Sequence, residues 1–154
     1  MVKPMKIENS HTFKGISVEM LWNTLQNKEV LRGALPGCKS FEEVEEDVYD
    51  AELGINVGPV KGLFTAEVRQ VEKREPEFYK LIVHGKGKPG EISASANMRL
   101  EDSEAGAILT CSADVSVTGM LASVGQRVTG GVAKLLLGQF FKDIEKEAKK
   151  IVNL

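Results

Sequence analysis

Histidine and cysteine are both scarce in this chain, with two of each among 154 residues. His11 and His84 fall on the polar phase of predicted strands. Neither has a partner by spacing, so a histidine general acid–base site is not indicated. Cys38 and Cys111 stand far apart, with no C-x-x-C pattern and no nearby histidine. That excludes zinc-finger spacing and a disulfide scaffold and fits reduced, intracellular thiols, with Cys111 on the apolar phase of a strand. A net charge of −2 supplies no general attraction to nucleic acid or anionic lipid. No apolar run is long enough to span a bilayer, and the start MVKPMKIENS lacks a signal-peptide core. Phosphate-loop spacing and a G-x-S-x-G elbow are also missing, since Gly85–Gly90 (GKGKPG) opens a strand rather than a helix. Glu45-Glu46-Asp47 reads as a solvated turn that lacks the further oxygens a hard metal needs. The expectation is no catalytic constellation, no metal, no nucleic-acid partner, and a cytoplasmic protein with at most peripheral contact at the inner face of the membrane.

What is present is patterned sequence. An apolar content of 42% with 27% charge is that of one globular domain over residues 1–154. Residues 5–14 alternate as a first strand. Ser17 caps a helix over 18–26, with Val18, Leu21, Trp22 and Leu25 on one face, and a second helix over 28–35 stops at Pro36-Gly37. From Ser40 to Val117 the period becomes two. Strands are predicted near 40–44 and over 48–57, 60–74, 78–88, 91–100 and 107–117, with turns at Gly58-Pro59, Glu75-Pro76-Glu77 and Lys88-Pro89-Gly90. The last fifth, Gly119–Leu154, carries apolar residues at helical spacing (Leu121, Val124, Val128, Val132, Leu135, Phe141, Ile144, Ala148, Ile151) and reads as one helix about 50 Å long. Strands followed by a helix, without βαβ alternation, define an α+β fold: a curved antiparallel sheet of about seven strands around a long C-terminal helix.

The inward residues are small in places: Gly62, Ala66, Gly85, Ala94, Ala96, Ala107 and Ala113 on strands, with Gly125, Gly130, Gly131 and Gly138 on the helix. Two arrangements account for this. Either helix and sheet approach closely around a solid core, or they enclose a cavity walled by Leu53, Ile55, Val57, Phe64, Met98, Leu121, Val124 and Val128. The proline-rigid turn Val57–Phe64, with Lys61 beside apolar residues, is either a plain β-turn or a contact for lipid headgroups.

Several linked segments resemble the CoxG family, the G-subunit family of carbon monoxide dehydrogenase, within the START-like (SRPBCC, helix-grip) superfamily. They are Leu35-Pro36-Gly37-Cys38-Lys39-Ser40, Gly58-Pro59-Val60-Lys61-Gly62-Leu63-Phe64, Gly85-Lys86-Gly87, Gly125-Gln126-Arg127, Gly130-Gly131-Val132-Ala133-Lys134 and Gln139-Phe140-Phe141. The resemblance implies a non-catalytic accessory protein that links a molybdenum-containing, CO dehydrogenase-type oxidoreductase to the cytoplasmic membrane and binds a quinone- or lipid-like molecule. No other cofactor is implied. The ligand would be held by Leu53, Ile55, Val57, Phe64, Leu81, Ala96, Met98, Leu121, Val124, Val128 and Leu135. Leu35, Pro36, Pro59 and Val60 would border the mouth, with Lys61 toward headgroups. Many relatives carry a further C-terminal tail for attachment, whereas this sequence stops at Leu154, so tail anchoring is not expected. The rival expectations are an assembly partner of the oxidoreductase that carries no ligand, and a START-like cyclase or hydrolase, for which Tyr79 is the inward polar group.

Overall fold

Alternation of apolar and polar residues along the strands makes a sheet with one dry face. The computed structural model describes residues 4–152. Its seven strands are β1 (Met5–Lys14), β2 (Cys38–Glu45), β3 (Val48–Val57), β4 (Val60–Arg74), β5 (Phe78–Gly87), β6 (Gly90–Glu101) and β7 (Gly106–Val117). They form one antiparallel sheet in the order β1-β7-β6-β5-β4-β3-β2, so the first and last strands are neighbours. Helices α1 (Val18–Gln26) and α2 (Lys28–Ala34) carry the chain from the β1 edge to the β2 edge. Ser17 starts α1 by accepting a hydrogen bond from the Met20 N–H, and Asn27 ends α1 while its side chain accepts from Glu29 and Val30 at the head of α2. Glycine is required where backbones approach closely: a Cβ on Gly90, at φ +143°, would collide with the Thr118 carbonyl, and one on Gly106, at φ +148°, with the Phe13 carbonyl.

The C-terminal segment differs from the expected single helix. It divides into α3 (Met120–Ser123) and α4 (Gln126–Val152), separated at Gly125, whose φ of +90° no helix accommodates. Residues 153 and 154, the end of the expected helix, lie outside the described residues. The expected stripe does not follow one face of α4, because the six residues from Leu135 to Phe141 turn the chain about 120° away from that face. Phe141, Ile144 and Ala148 are buried as expected, but Val128, Leu135 and Ile151 are 39%, 57% and 44% exposed. Val132 of the expected stripe faces inward, joined by Thr129, Ala133 and Leu136, each one residue beyond a position of that stripe.

Two apolar clusters result. The larger joins Phe13, Leu21, Trp22, Leu25, Leu109, Phe141 and Ile144 between α1, α2, the sheet and the C-terminal half of α4. Aromatic rings meet there edge to face, Trp22 on Tyr79 at 5.4 Å and Phe13 on Phe141 at 6.5 Å. The smaller joins Met5, Val60, Phe64, Val117 and Leu121 under the α3–α4 corner. The interior is thus solid at one end and hollow at the other, which combines the two arrangements left open by the sequence.

Candidate functional site

The hollow end holds an apolar pocket of about 200 Å³ between the sheet and the α3–α4 corner. Leu53 and Ile55 on β3, Phe64 and Ala66 on β4, Val83 and Gly85 on β5, Ile92 on β6 and Val115 and Val117 on β7 form its floor. Leu121 on α3 and Val132, Ala133 and Leu136 on α4 roof it, while Met5 and Val60 close its sides. Period-two alternation turns these strand residues to one face, and the small Ala66 and Gly85 leave the volume unfilled. Thr129 is the one polar residue of the lining among the described residues, and its hydroxyl is held by backbone, donating toward the Gly125 carbonyl at 2.8 Å and the Leu121 carbonyl at 3.2 Å. The walls therefore offer hydrocarbon contact and no free hydrogen-bond donor.

Leu53, Ile55, Phe64 and Leu121 come together in this pocket from the expected wall. Leu81, Ala96 and Met98 face inward but pack at the other end of the sheet, in or against the larger cluster. Val57 at the end of β3 and Val124 at the α3–α4 break do not line the pocket, and Val128 and Leu135 face outward because they lie roughly half a turn around α4 from the buried Ile144. Of the expected mouth, Val60 is buried in the wall itself, while Pro59 and Lys61 are exposed on the β3–β4 turn. Leu35 packs against the larger cluster and, with Pro36, does not reach the pocket, because the α2–β2 junction lies over the solid end. Val83, Ile92 and Val115 were readable as inward from alternation alone. Met5, Thr129, Ala133 and Leu136 were not readable as pocket residues, since their positions depend on the α4 phase and on the β1 edge.

The remaining candidates lie away from the pocket. Cys111 is buried at the larger cluster, and burial pushes its thiol up to about 11, away from the reactive thiolate. Burial also raises the Cys38 thiol. Tyr79 sits in the solid core, and burial raises its hydroxyl well above the ordinary range. His84 lies on the outer face of the sheet, 3.2 Å from the Ser93 hydroxyl. His11, expected in solvent, is half-buried beneath α4 and bonds Glu145 at 2.7 Å. No group of three or more His, Cys, Asp or Glu among the described residues can hold a metal ion. An open, polar trough of about 570 Å³ on the outer face runs past Glu42, Asp50, Glu67 and His84, with Arg69 bonding Glu67 at 2.7 Å. No helix among the described residues is long and apolar enough to cross a membrane.

A curved antiparallel sheet gripping a C-terminal helix, with an apolar pocket between them, is the helix-grip architecture. The chain belongs to the CoxG family, the G-subunit family of carbon monoxide dehydrogenase, whose sequence profile matches residues 15–149. It is similar to a conserved protein from Geobacillus kaustophilus: 37% identity, covering 95% of this chain and 96% of that one, with a TM-score of 0.91. The fold alone is shared with the ZhuI aromatase/cyclase from Streptomyces sp. R1128, at 12% identity, 97% and 96% coverage and a TM-score of 0.72. It is likewise shared with TTHA0849 from Thermus thermophilus, at 10% identity, 96% and 99% coverage and a TM-score of 0.71. No curated protein matches the chain.

Proposed function

We propose that the protein is a non-catalytic accessory of a molybdenum-containing, CO dehydrogenase-type oxidoreductase, and that it binds a quinone- or lipid-like molecule through the hydrocarbon part of that molecule. The observation that carries this reading is the pocket between sheet and helix, whose polar lining residue, Thr129, has its hydroxyl occupied by backbone carbonyls. Affinity there comes from apolar area removed from water, about 25 cal/mol per Å² before the costs of association. An apolar cavity of about 150 Å³ takes a benzene ring. A pocket of about 200 Å³ therefore accepts a ring or a short length of chain and leaves the rest of a larger ligand outside.

Transient membrane contact is part of the same reading. The β3–β4 turn, the β5–β6 turn and α3 converge beside the pocket, with Leu121 N–H bonding the Pro89 carbonyl and Gly62 lying against the Pro89 ring. That end exposes Pro59, Leu63 and Met120 together with Lys61 and Lys88. Apolar tips among lysines suit an interface of acyl chains and anionic headgroups.

Native mass spectrometry of the purified protein, followed by organic extraction, tests the reading. A stoichiometric quinone or lipid is expected. A second reading, an assembly partner without cargo, draws on the small pocket volume and the solid core beside it. A clean apo mass that persists after incubation with membrane lipids and quinones, together with copurification of a large oxidoreductase, would establish that alternative.

A further inference from the structure

A second space lies beside the apolar pocket, with Met5 lining both. A cleft of about 450 Å³ runs between the start of β1 and the first turns of α4, with Lys6, Arg127 and Lys134 in its lining and no Asp or Glu there among the described residues. A small void of about 10 Å³ shares Val117, Leu121 and Thr129 with the pocket and Gln126 with the cleft, and Met5 lines all three spaces. An unbranched methionine is an adaptable barrier, since it changes rotamer at small cost. Arg127 and Lys134 are seven residues apart and so share one face of α4. Between them lie Gly130 and Gly131, which weaken a helix but are not demanded by packing: a Cβ on Gly131 would meet nothing within 4 Å, and one on Gly130 would meet only the Met5 Sδ, at 4.0 Å. Their effect is a bare backbone floor that keeps the cleft wide between its cations. In a chain of net charge −2, this is a local concentration of positive charge beside a hydrocarbon site.

We infer that the cleft is a second subsite, which takes the anionic head (a carboxylate or a phosphate) of an amphiphile whose chain passes Met5 into the apolar pocket. The inference rests on the reading of that pocket as a hydrocarbon site and narrows the quinone- or lipid-like ligand to a lipid-like one with an anionic head. Lys6 also reaches Asp114, at 3.6 Å with both side chains largely exposed, so Arg127 and Lys134 carry most of the recognition.

Isothermal titration of the whole protein with dodecanoate and with dodecanol tests it. The wild type binds dodecanoate about tenfold more tightly than dodecanol, and added salt shrinks the difference. The Arg127→Gln/Lys134→Gln double variant, altered at exposed positions and checked for an unchanged melting temperature, binds both equally and keeps the wild-type affinity for dodecanol. Equal wild-type affinities, or a preference that survives in the double variant, would overturn the subsite while leaving the pocket intact. Failure to bind either probe would overturn the pocket reading itself. Displacement of dodecanoate by inorganic phosphate at matched ionic strength would mark a site for a free anion and overturn the amphiphile.

Discussion

His11 on β1 and Glu145 on α4, 134 residues apart in the chain, meet at 2.7 Å between Nε2 and Oε1. This bond ties the edge strand to the helix that covers it, and Lys149 braces the other carboxylate oxygen at 3.1 Å. Burial alone would raise the Glu145 carboxyl, but the hydrogen bonds from His11 and Lys149 outweigh it and hold the group below its usual range. On acidification the unfolded chain takes up this proton first. The stabilisation is therefore complete above the ordinary carboxylate value and is lost as pH falls through the lower, folded one. Glu145→Gln should cost about 1 kcal/mol at pH 7, and the gap from wild type should close as the pH is lowered below about 4. Urea unfolding of both proteins across that range measures it; a gap independent of pH would show that the carboxylate is not the stabilising group.

The helical phase is tested by a pair of truncations. Phe141 is 1% exposed against Phe13, whereas Leu135 is 57% exposed. Phe141→Ala should cost about 3–5 kcal/mol, and Leu135→Ala should stay within about 0.5 kcal/mol of wild type. Comparable losses for the two would place Leu135 and Phe141 on one buried face, as the expected stripe has them.

That pair also shows where sequence reading stops. Strands β1, β3 and β4 and helix α1 lie over the residues that alternation, Ser17 and the Gly58-Pro59 turn indicate. The face of each strand follows from its period of two. Position along a strand does not. β5 and β6 each serve two compartments, so Leu81, Ala96 and Met98 face the solid core while Val83 and Ile92, equally inward by alternation, face the pocket. On α4, Val128 and Leu135 and the row Phe141, Ile144 and Ala148 lie on different faces of one unbroken helix, so apolar spacing joined two faces of which only the second is buried.

Filling the pocket should separate binding from folding. Ala133→Phe places a ring from α4 into the pocket and should abolish binding of apolar probes while the protein still melts cooperatively. Ala96→Phe pushes instead into the packed core, and overpacking there should cost about 1–3 kcal/mol and leave the pocket empty. Probe fluorescence and thermal unfolding, read together on both variants, distinguish the two sites; loss of binding in Ala96→Phe alone would move the pocket to the other end of the sheet.

Thr129 links the corner to the pocket, and its removal should have opposite effects on stability and affinity. The hydroxyl bridges the Leu121 carbonyl, near the end of α3, and the Gly125 carbonyl, which also accepts the Thr129 N–H at the start of α4. Thr129→Val keeps the shape and removes the donor, so the corner should lose about 1 kcal/mol, read as a lower melting temperature. The added methyl makes the wall wholly apolar, so the affinity for a hydrocarbon probe should be retained or improved. A variant that lost affinity in proportion to stability would show that Thr129 hydrogen-bonds the ligand, and its hydroxyl, rather than the pocket's dryness, would then set what the protein binds.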